Sequence, residues 1–305
     1  MMTKNTKATV RGSSENQIFP MVVIVGETAT GKSSLAMQVA KKHDGEIISA
    51  DSWTVYRGFD IGTAKPNAAD LQSVKHHLVD IVDAGAGFSA AEFKRQASEA
   101  ISDIRKRQKL PILVGGAGLY VDSIVFDYGF LPAGSVAKRD QLNQLSIDEL
   151  LGQIQRAGIS VEGIDTRNKR RLVRLIETGG KRPTKKEIRP NTLMIGLKVP
   201  PEELKRRITS RTDEMLLHGL ENEVRKLAGQ YGWDVEPMKG IGYREFKKQI
   251  LGTQDIIQTR DQIIASSLRL AKKQRTWFQR NKSIHWIDDP SKAFPVIDTF
   301  LNTVH

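Results

Sequence analysis

Cysteine is absent from the 305-residue chain, which excludes a disulfide framework and any cysteine-ligated metal centre. No apolar run approaches the roughly 18 residues that a membrane-spanning helix needs, so no membrane association is expected. Residues 1–17 lack the apolar stretch of a secretory signal; they are polar and include Lys4, Lys7 and Arg11. Internal repeats and low-complexity tracts are also lacking. A cytoplasmic protein with a loose tail at 1–17 fits these absences.

What is present is an ordinary globular composition with an uneven charge. Hydrophobic residues make up 39% and charged residues 27%, too apolar for a disordered chain. The net charge is +12, from 47 basic and 35 acidic residues. Between Arg167 and Arg189 ten Lys/Arg face two Glu, and between Arg260 and Lys282 seven face one Asp. The positive charge is thus concentrated in two short segments, the pattern of a surface for a polyanion.

Hydrophobic patterning alternates between strand and helix. Met21–Val25 reads as a buried strand, Ser33–Lys42 as a helix, and Glu46–Ala50 as a second strand that ends at Asp51. Leu78–Val82 is a candidate third strand, and Pro111–Val114 another, stopped by Gly115-Gly116. Between them Ala90–Gln108 has apolar residues at helical spacing behind Ser89, a good N-cap. This alternation predicts an α/β fold with a parallel sheet and right-handed crossovers. Residues 131–191 contain no buried strand and read as an inserted set of short helices. Thr192–Val199 returns to strand character, and Pro201–Tyr231, Asp255–Asn281 and Lys292–Val304 read as helices. The expected organisation is a core of 18–130 and 192–305 around an insertion at 131–191.

Two local features carry chemistry. Gly26-Glu27-Thr28-Ala29-Thr30-Gly31-Lys32-Ser33 matches the phosphate loop G-x-x-x-x-G-K-[ST] in full, between a strand and a helix. Backbone N–H groups and the helix N-terminus favour phosphate there. Lys32 adds a full charge, and the Ser33 hydroxyl is a candidate Mg²⁺ ligand. Nucleotide hydrolases with this loop usually place an Asp at the end of an apolar strand for Mg²⁺. Pro111–Val114 ends in Gly-Gly instead; Asp80 and Asp83 are the remaining substitutes. The second feature is Asp51, which follows the second strand and so should face the same crevice. A carboxylate beside a bound diphosphate suits either Mg²⁺ ligation or proton acceptance. The polar loop after it, residues 51–66, has little reason to exist as packing.

At these residues the chain resembles the tRNA dimethylallyltransferases, also called tRNA isopentenyltransferases. Their phosphate loop resembles GPTASGKT, here GETATGKS, and their second motif resembles DSMQVYRGLDIGTAKP, here DSWTVYRGFDIGTAKP. Further matches are His76–Ile81, Gly115–Tyr120, Arg170–Arg174 leading to Gly180-Lys181, Gly240–Arg244, and Ala271–Phe278. They run in family order from about residue 21 to about residue 286.

The resemblance implies a P-loop kinase-like core with a helical insertion that grips the tRNA anticodon stem-loop. It implies dimethylallyl diphosphate as donor, Mg²⁺ as cofactor, and N6 of the adenosine 3′ of the anticodon as acceptor, in tRNAs that read codons starting with U. Gly26–Ser33 would hold the diphosphate, with Lys32, Ser33 and Asp51 catalytic. Asp51, Ser52, Trp53, Thr54, Ala117, Arg170, Arg171, Arg174, Lys239, Gly242, Tyr243 and Arg244 would meet tRNA. A monomer is expected.

Among the departures from the pattern, Thr54 replaces a Gln, Ala117 a Thr, and Leu268 an Arg. Arg167, Arg170, Arg171 and Arg174 are spaced as a basic helical stripe opposite Leu172, Leu175 and Ile176. Trp277 and Phe278 suit either base stacking or core packing, and His76-His77 either a structural role or a contact near the pocket. Competing functions are a small-molecule phosphotransferase, an adenylate prenyltransferase, and a non-catalytic RNA-binding protein. The basic insertion weighs against the first two, and Asp51 beside the phosphate loop against the third.

Overall fold

A computed structural model describes residues 19–132 and 134–304; the expected tail at 1–17 lies outside them. The helical and extended segments follow in this order. β1 (Met21–Gly26), α1 (Lys32–Lys42), β2 (Gly45–Ser49), α2 (Ala68–Ser73), β3 (His76–His77) and α3 (Ala90–Lys106) come first. β4 (Leu110–Gly115) and α4 (Gly118–Val125) lead into α5 (Val136–Gln144), α6 (Ile147–Arg156) and α7 (Lys169–Glu177). β5 (Thr192–Leu197), α8 (Pro201–Leu217), α9 (Leu220–Tyr231), α10 (Phe246–Ile250), α11 (Ile256–Phe278), β6 (Ile284–Ile287) and α12 (Ala293–Val304) complete the chain.

The strands form one six-stranded sheet in the order β3-β2-β4-β1-β5-β6, and every pairing is parallel. β1 is fully buried, which is why it reads as an unbroken apolar run. Its side chains alternate between two cores. Met21, Val23 and Val25 pack with Phe93 and Ile101 of α3, while Val22 and Ile24 pack with Leu35 and Val39 of α1. β2, β3 and β4 lie on one side of β1, and β5 and β6 on the other. The order therefore reverses at β1, and the crevice beyond its C-terminal end is where such sheets bind ligands.

Most of the patterning is realised; besides the short helices α2, α4 and α10, which had no expectation, three differences stand out. The third strand is His76–His77 and not Leu78–Val82. Leu78 and Asp80 have φ of 63° and 55°, a left-handed conformation that a strand cannot contain. Only Val82 extends the pairing, as an isolated bridge to Tyr56. The helix expected over Pro201–Tyr231 is two helices, because Gly219 at φ 91° turns the chain between α8 and α9. A short edge strand, β6, follows α11 and pairs with β5; it lies in a stretch with no strand expectation.

The helices α5–α7 bury a small core of their own, with Leu142, Leu150, Ile154, Leu172, Val173 and Leu175 inside. Ser146 caps α6 with a reciprocal Glu149 bond, the capping box that stabilises an isolated helix start. Another core lies under the 51–66 loop, where Val55, Tyr56 and Phe59 meet α9 and Tyr243. Among the described residues no helix is long and apolar enough to cross a membrane.

Candidate active site

The loop from β1 to α1 opens on a cavity of about 540 Å³ lined by Thr28, Ala29, Gly31, Lys32, Ser33, Asp51, Gly115, Gly116, Arg211 and Gln274, among others. Gly115 lets β2 and β4 approach closely here. A Cβ on it would lie 2.1 Å from the Ala50 carbonyl oxygen, so the Gly-Gly strand end is a steric requirement of the crevice floor. Ser33 is exposed to this cavity, and its hydroxyl has no bonded partner among the described residues. Lys32 is half-buried and donates to the Glu27 carbonyl oxygen. Burial lowers its pKa from the usual lysine value to about 8; Arg211 adds to the shift, while Asp51 and Glu27 oppose it.

Asp51 is half-buried at the C-terminal end of β2, as its sequence position implies. Its Oδ1 accepts from the Trp53 backbone N–H at 2.8 Å, and Oδ2 has no partner among the described residues. Asp51 lines both the large cavity and a second one of about 90 Å³. The second cavity has an apolar wall that includes Trp53, Ile208, Met215, Ile241 and Ile263. Thr28, Ala29, Thr63, Arg211 and Leu270 border both cavities. The carboxylate thus stands where a space lined by the phosphate loop meets an apolar one. The alternative carboxylates are engaged elsewhere: Asp80 pairs with Lys65, and Asp83 with Arg57 at 2.8 Å. Neither lines the large cavity.

Several site residues were not legible as such. Arg211, on α8, donates to the Thr28 hydroxyl at 3.3 Å; burial lowers its pKa and Asp51 counteracts this. Gln274, on α11, accepts from the Thr28 N–H at 2.8 Å and donates to the Gly116 carbonyl at 3.1 Å. Both come from helices far along the chain; no local spacing marks Arg211, and Gln274 is marked only by lying within the Ala271–Phe278 match. His76 lines the large cavity. His77 instead sits with Glu46 at 2.7 Å on the far side of the sheet edge, where Arg107 also grips Glu46.

Comparison with known proteins now bears on this geometry. The profile of the family described as IPP transferase matches residues 54–281. The chain belongs to this family. A tRNA dimethylallyltransferase of Anoxybacillus flavithermus is 39% identical over 279 residues, spanning 88% of this chain and 90% of its own. The structure of a tRNA delta(2)-isopentenylpyrophosphate transferase from Staphylococcus epidermidis superposes with a TM-score of 0.71 at 34% identity, covering 94% of this chain and all of that one. A tRNA isopentenylpyrophosphate transferase from Bacillus halodurans gives 0.72 at 34% identity, covering 93% of this chain and 97% of its own.

Within the IPP transferase family, this chain's departures have visible surroundings. Thr54 is buried and its hydroxyl pairs with that of Ser49 at 3.0 Å, in the wall of the large cavity. Ala117 is the N-cap of α4 and provides no side-chain bond there. Leu268 packs beside Leu204 and Ile208 of α8, a setting that favours an apolar side chain; neighbouring Arg269 bonds Ser266 of its own helix at 2.9 Å.

The residues expected to meet tRNA are not one surface. Trp53, Gly242 and Tyr243 line the small cavity, whereas Ser52 and Ala117 line neither. Tyr243 is buried, and its hydroxyl donates to Glu223 at 2.7 Å. Arg244 and Lys239 are exposed and pair with Glu245 and Glu236. Arg170 and Arg171 are exposed on α7, Arg170 pairing with Glu236 at 3.1 Å. Arg174 faces inward instead and donates to the carbonyls of Leu131 and Pro132. Trp277 donates to Asp122 at 3.2 Å and is partly buried against the core, and Phe278 is core, so both pack, and Phe278 is not free to stack on a base.

Proposed function

We propose that this protein transfers a dimethylallyl group from dimethylallyl diphosphate to N6 of the adenosine 3′-adjacent to the anticodon, in tRNAs that read codons starting with U. The observation that carries this reading is Asp51, with one carboxylate oxygen unpartnered among the described residues at the meeting of a phosphate cradle and an apolar cavity. Membership of the IPP transferase family supports it, as do relatives named for this activity.

The adenine amine is a weak nucleophile because its lone pair is delocalised into the ring. In the reaction the N6–carbon bond forms as the allylic carbon–oxygen bond breaks. The amine proton passes to Asp51, and the bonding electron pair leaves on diphosphate. Lys32, Arg211 and the loop amides receive the charge that develops on the leaving group. The donor set also suits Mg²⁺. Among the described residues no cluster of three His, Cys, Asp or Glu could hold a metal alone, and Mg²⁺ is normally held by few protein ligands together with substrate phosphates. Ser33 would hold it, and when bound it would supply further charge neutralisation on the diphosphate. The acceptor base reaches the site only out of its stack, which an unpaired loop nucleotide does at modest cost.

The test combines labelled dimethylallyl diphosphate and Mg²⁺ with bulk tRNA or with AMP. Label is expected in tRNA alone; no transfer to either, with ATP turnover instead, would overturn the reading. Asp51→Asn keeps an oxygen for the Trp53 N–H but cannot take the proton. It should lower turnover by about 10²–10⁴-fold, the usual worth of a general base, with tRNA affinity nearly unchanged. Full activity in this variant removes Asp51 from that role.

A further inference from the structure

A phosphate loop gathers positive potential, yet this one contains a carboxylate. Glu27 follows Gly26 directly and is only 6% exposed. Its charge is therefore held inside the loop and not in solvent, where it opposes the loop's attraction for an anion. Its partner is Arg275 on α11, which closes on both carboxylate oxygens, with Nη2 2.9 Å from Oε2. The fork-to-fork arrangement fixes orientation as well as charge. Gln274, the preceding residue, holds the Thr28 N–H at 2.8 Å and the Gly116 carbonyl at 3.1 Å. Two consecutive side chains of α11 thus hold two consecutive residues of the loop. The Glu27 carbonyl also accepts from Lys32, so movement of residue 27 would shift the catalytic lysine.

We propose that Arg275 is a positioning residue for the donor's diphosphate: it neutralises Glu27 within the phosphate loop, while the neighbouring Gln274 holds the loop in its anion-accepting shape. This rests on the reading that the loop binds a diphosphate. It also assigns part of the second basic segment to the loop and not to RNA.

The test measures binding of inorganic pyrophosphate with Mg²⁺, and separately of tRNA, to the full chain. Arg275→Gln leaves Glu27 unpaired and should weaken pyrophosphate binding by at least about tenfold, the scale of one lost charge interaction in a partly buried setting. Arg275→Lys should stay within about threefold of the parent because the charge remains. The decisive variant is Glu27→Gln with Arg275→Gln. Removing both charges should return affinity to within about threefold of the parent, whereas a merely structural role for Arg275 would leave the double variant as weak as the single. tRNA affinity should be unchanged throughout. Parent-like pyrophosphate affinity in Arg275→Gln, or a double variant no better than the single, overturns the proposal. So does a loss of tRNA affinity without loss of pyrophosphate affinity, which would make Arg275 an RNA contact. A parent protein that binds no pyrophosphate fails the diphosphate reading itself and this proposal with it.

Discussion

Lys32 is held between opposing influences. Burial and Arg211 favour its neutral form, Asp51 and Glu27 its charged form, and the balance leaves its pKa at about 8. The folded value lies below that of the unfolded chain, so between about pH 8 and 10.5 the unfolded chain binds more protons and stability rises with pH. Below pH 8 the amine is charged in both states and the burial cost is fully present. A bound diphosphate favours the charged amine and should raise its pKa. Titrating pyrophosphate into the protein near pH 8.5, in buffers of different ionisation enthalpy, should therefore reveal proton uptake beyond that of Lys32→Gln. Equal proton exchange in the two proteins would mean that Lys32 does not meet the anion. Lys32 was legible because the phosphate loop is contiguous and steric. Arg211, which acts on it, was not: Arg211 reaches Thr28 across 183 residues, as Gln274 does across 246, and only the packing of α8 and α11 brings them to the loop.

At the level of elements, the 51–66 loop is fastened from two directions. Glu223 of α9 accepts from the N–H groups of Asp60, Ile61 and Gly62 at 3.2, 2.9 and 3.2 Å, and from the Tyr243 hydroxyl at 2.7 Å. Lys65 reaches back to the Tyr56 carbonyl and Asp60. The next residue, Thr63, borders both cavities, so this fastening shapes the site wall. Glu223→Gln removes the charge and turns an N–H donor toward other donors. It should cost about 1–3 kcal/mol in denaturant unfolding, the range for unsatisfied partly buried groups. Tyr243→Phe keeps the ring against Phe59 and should cost only about 0.5–1.5 kcal/mol. Equal costs for the two would place the fastening in the Tyr243 hydroxyl bond, which both variants lose, and not in the three backbone N–H bonds to the carboxylate. The 51–66 loop stood out in the sequence as polar and aromatic, but its anchor at Glu223 did not, since it lies in an ordinary amphipathic helix. The same limit explains α4. Gly118–Val125 is buried almost throughout, so it carries no periodicity to distinguish it. Ala90–Lys106 was readable because one face is apolar and Ser89 caps it, its side chain accepting from Glu92 N–H.

Across the whole molecule, the fold redistributes the +12 charge that the sequence concentrates in two segments. In the second segment Arg260 is taken up by Asp213 and Arg275 by Glu27, while Lys272, Lys273, Arg280 and Lys282 are exposed with no ion-pair partner among the described residues. In the first, Arg174 supports the chain at Leu131 and Pro132, whereas Arg171 and Lys181 are exposed and unpaired among the described residues. A basic stripe read from spacing thus divides into charges that hold the fold and charges that face solvent. Only the second kind can release counterions from RNA. If α7 meets tRNA, Arg171→Gln should reduce the slope of log affinity against log salt by about 0.7–0.9, one phosphate contact's worth. Arg174→Gln should leave that slope alone and instead lower thermal stability, because two carbonyls lose their donor. Binding isotherms between roughly 50 and 200 mM salt resolve a change of this size. An unaltered slope in Arg171→Gln would remove this face of α7 from the RNA interface and transfer the expectation to the exposed lysines of α11.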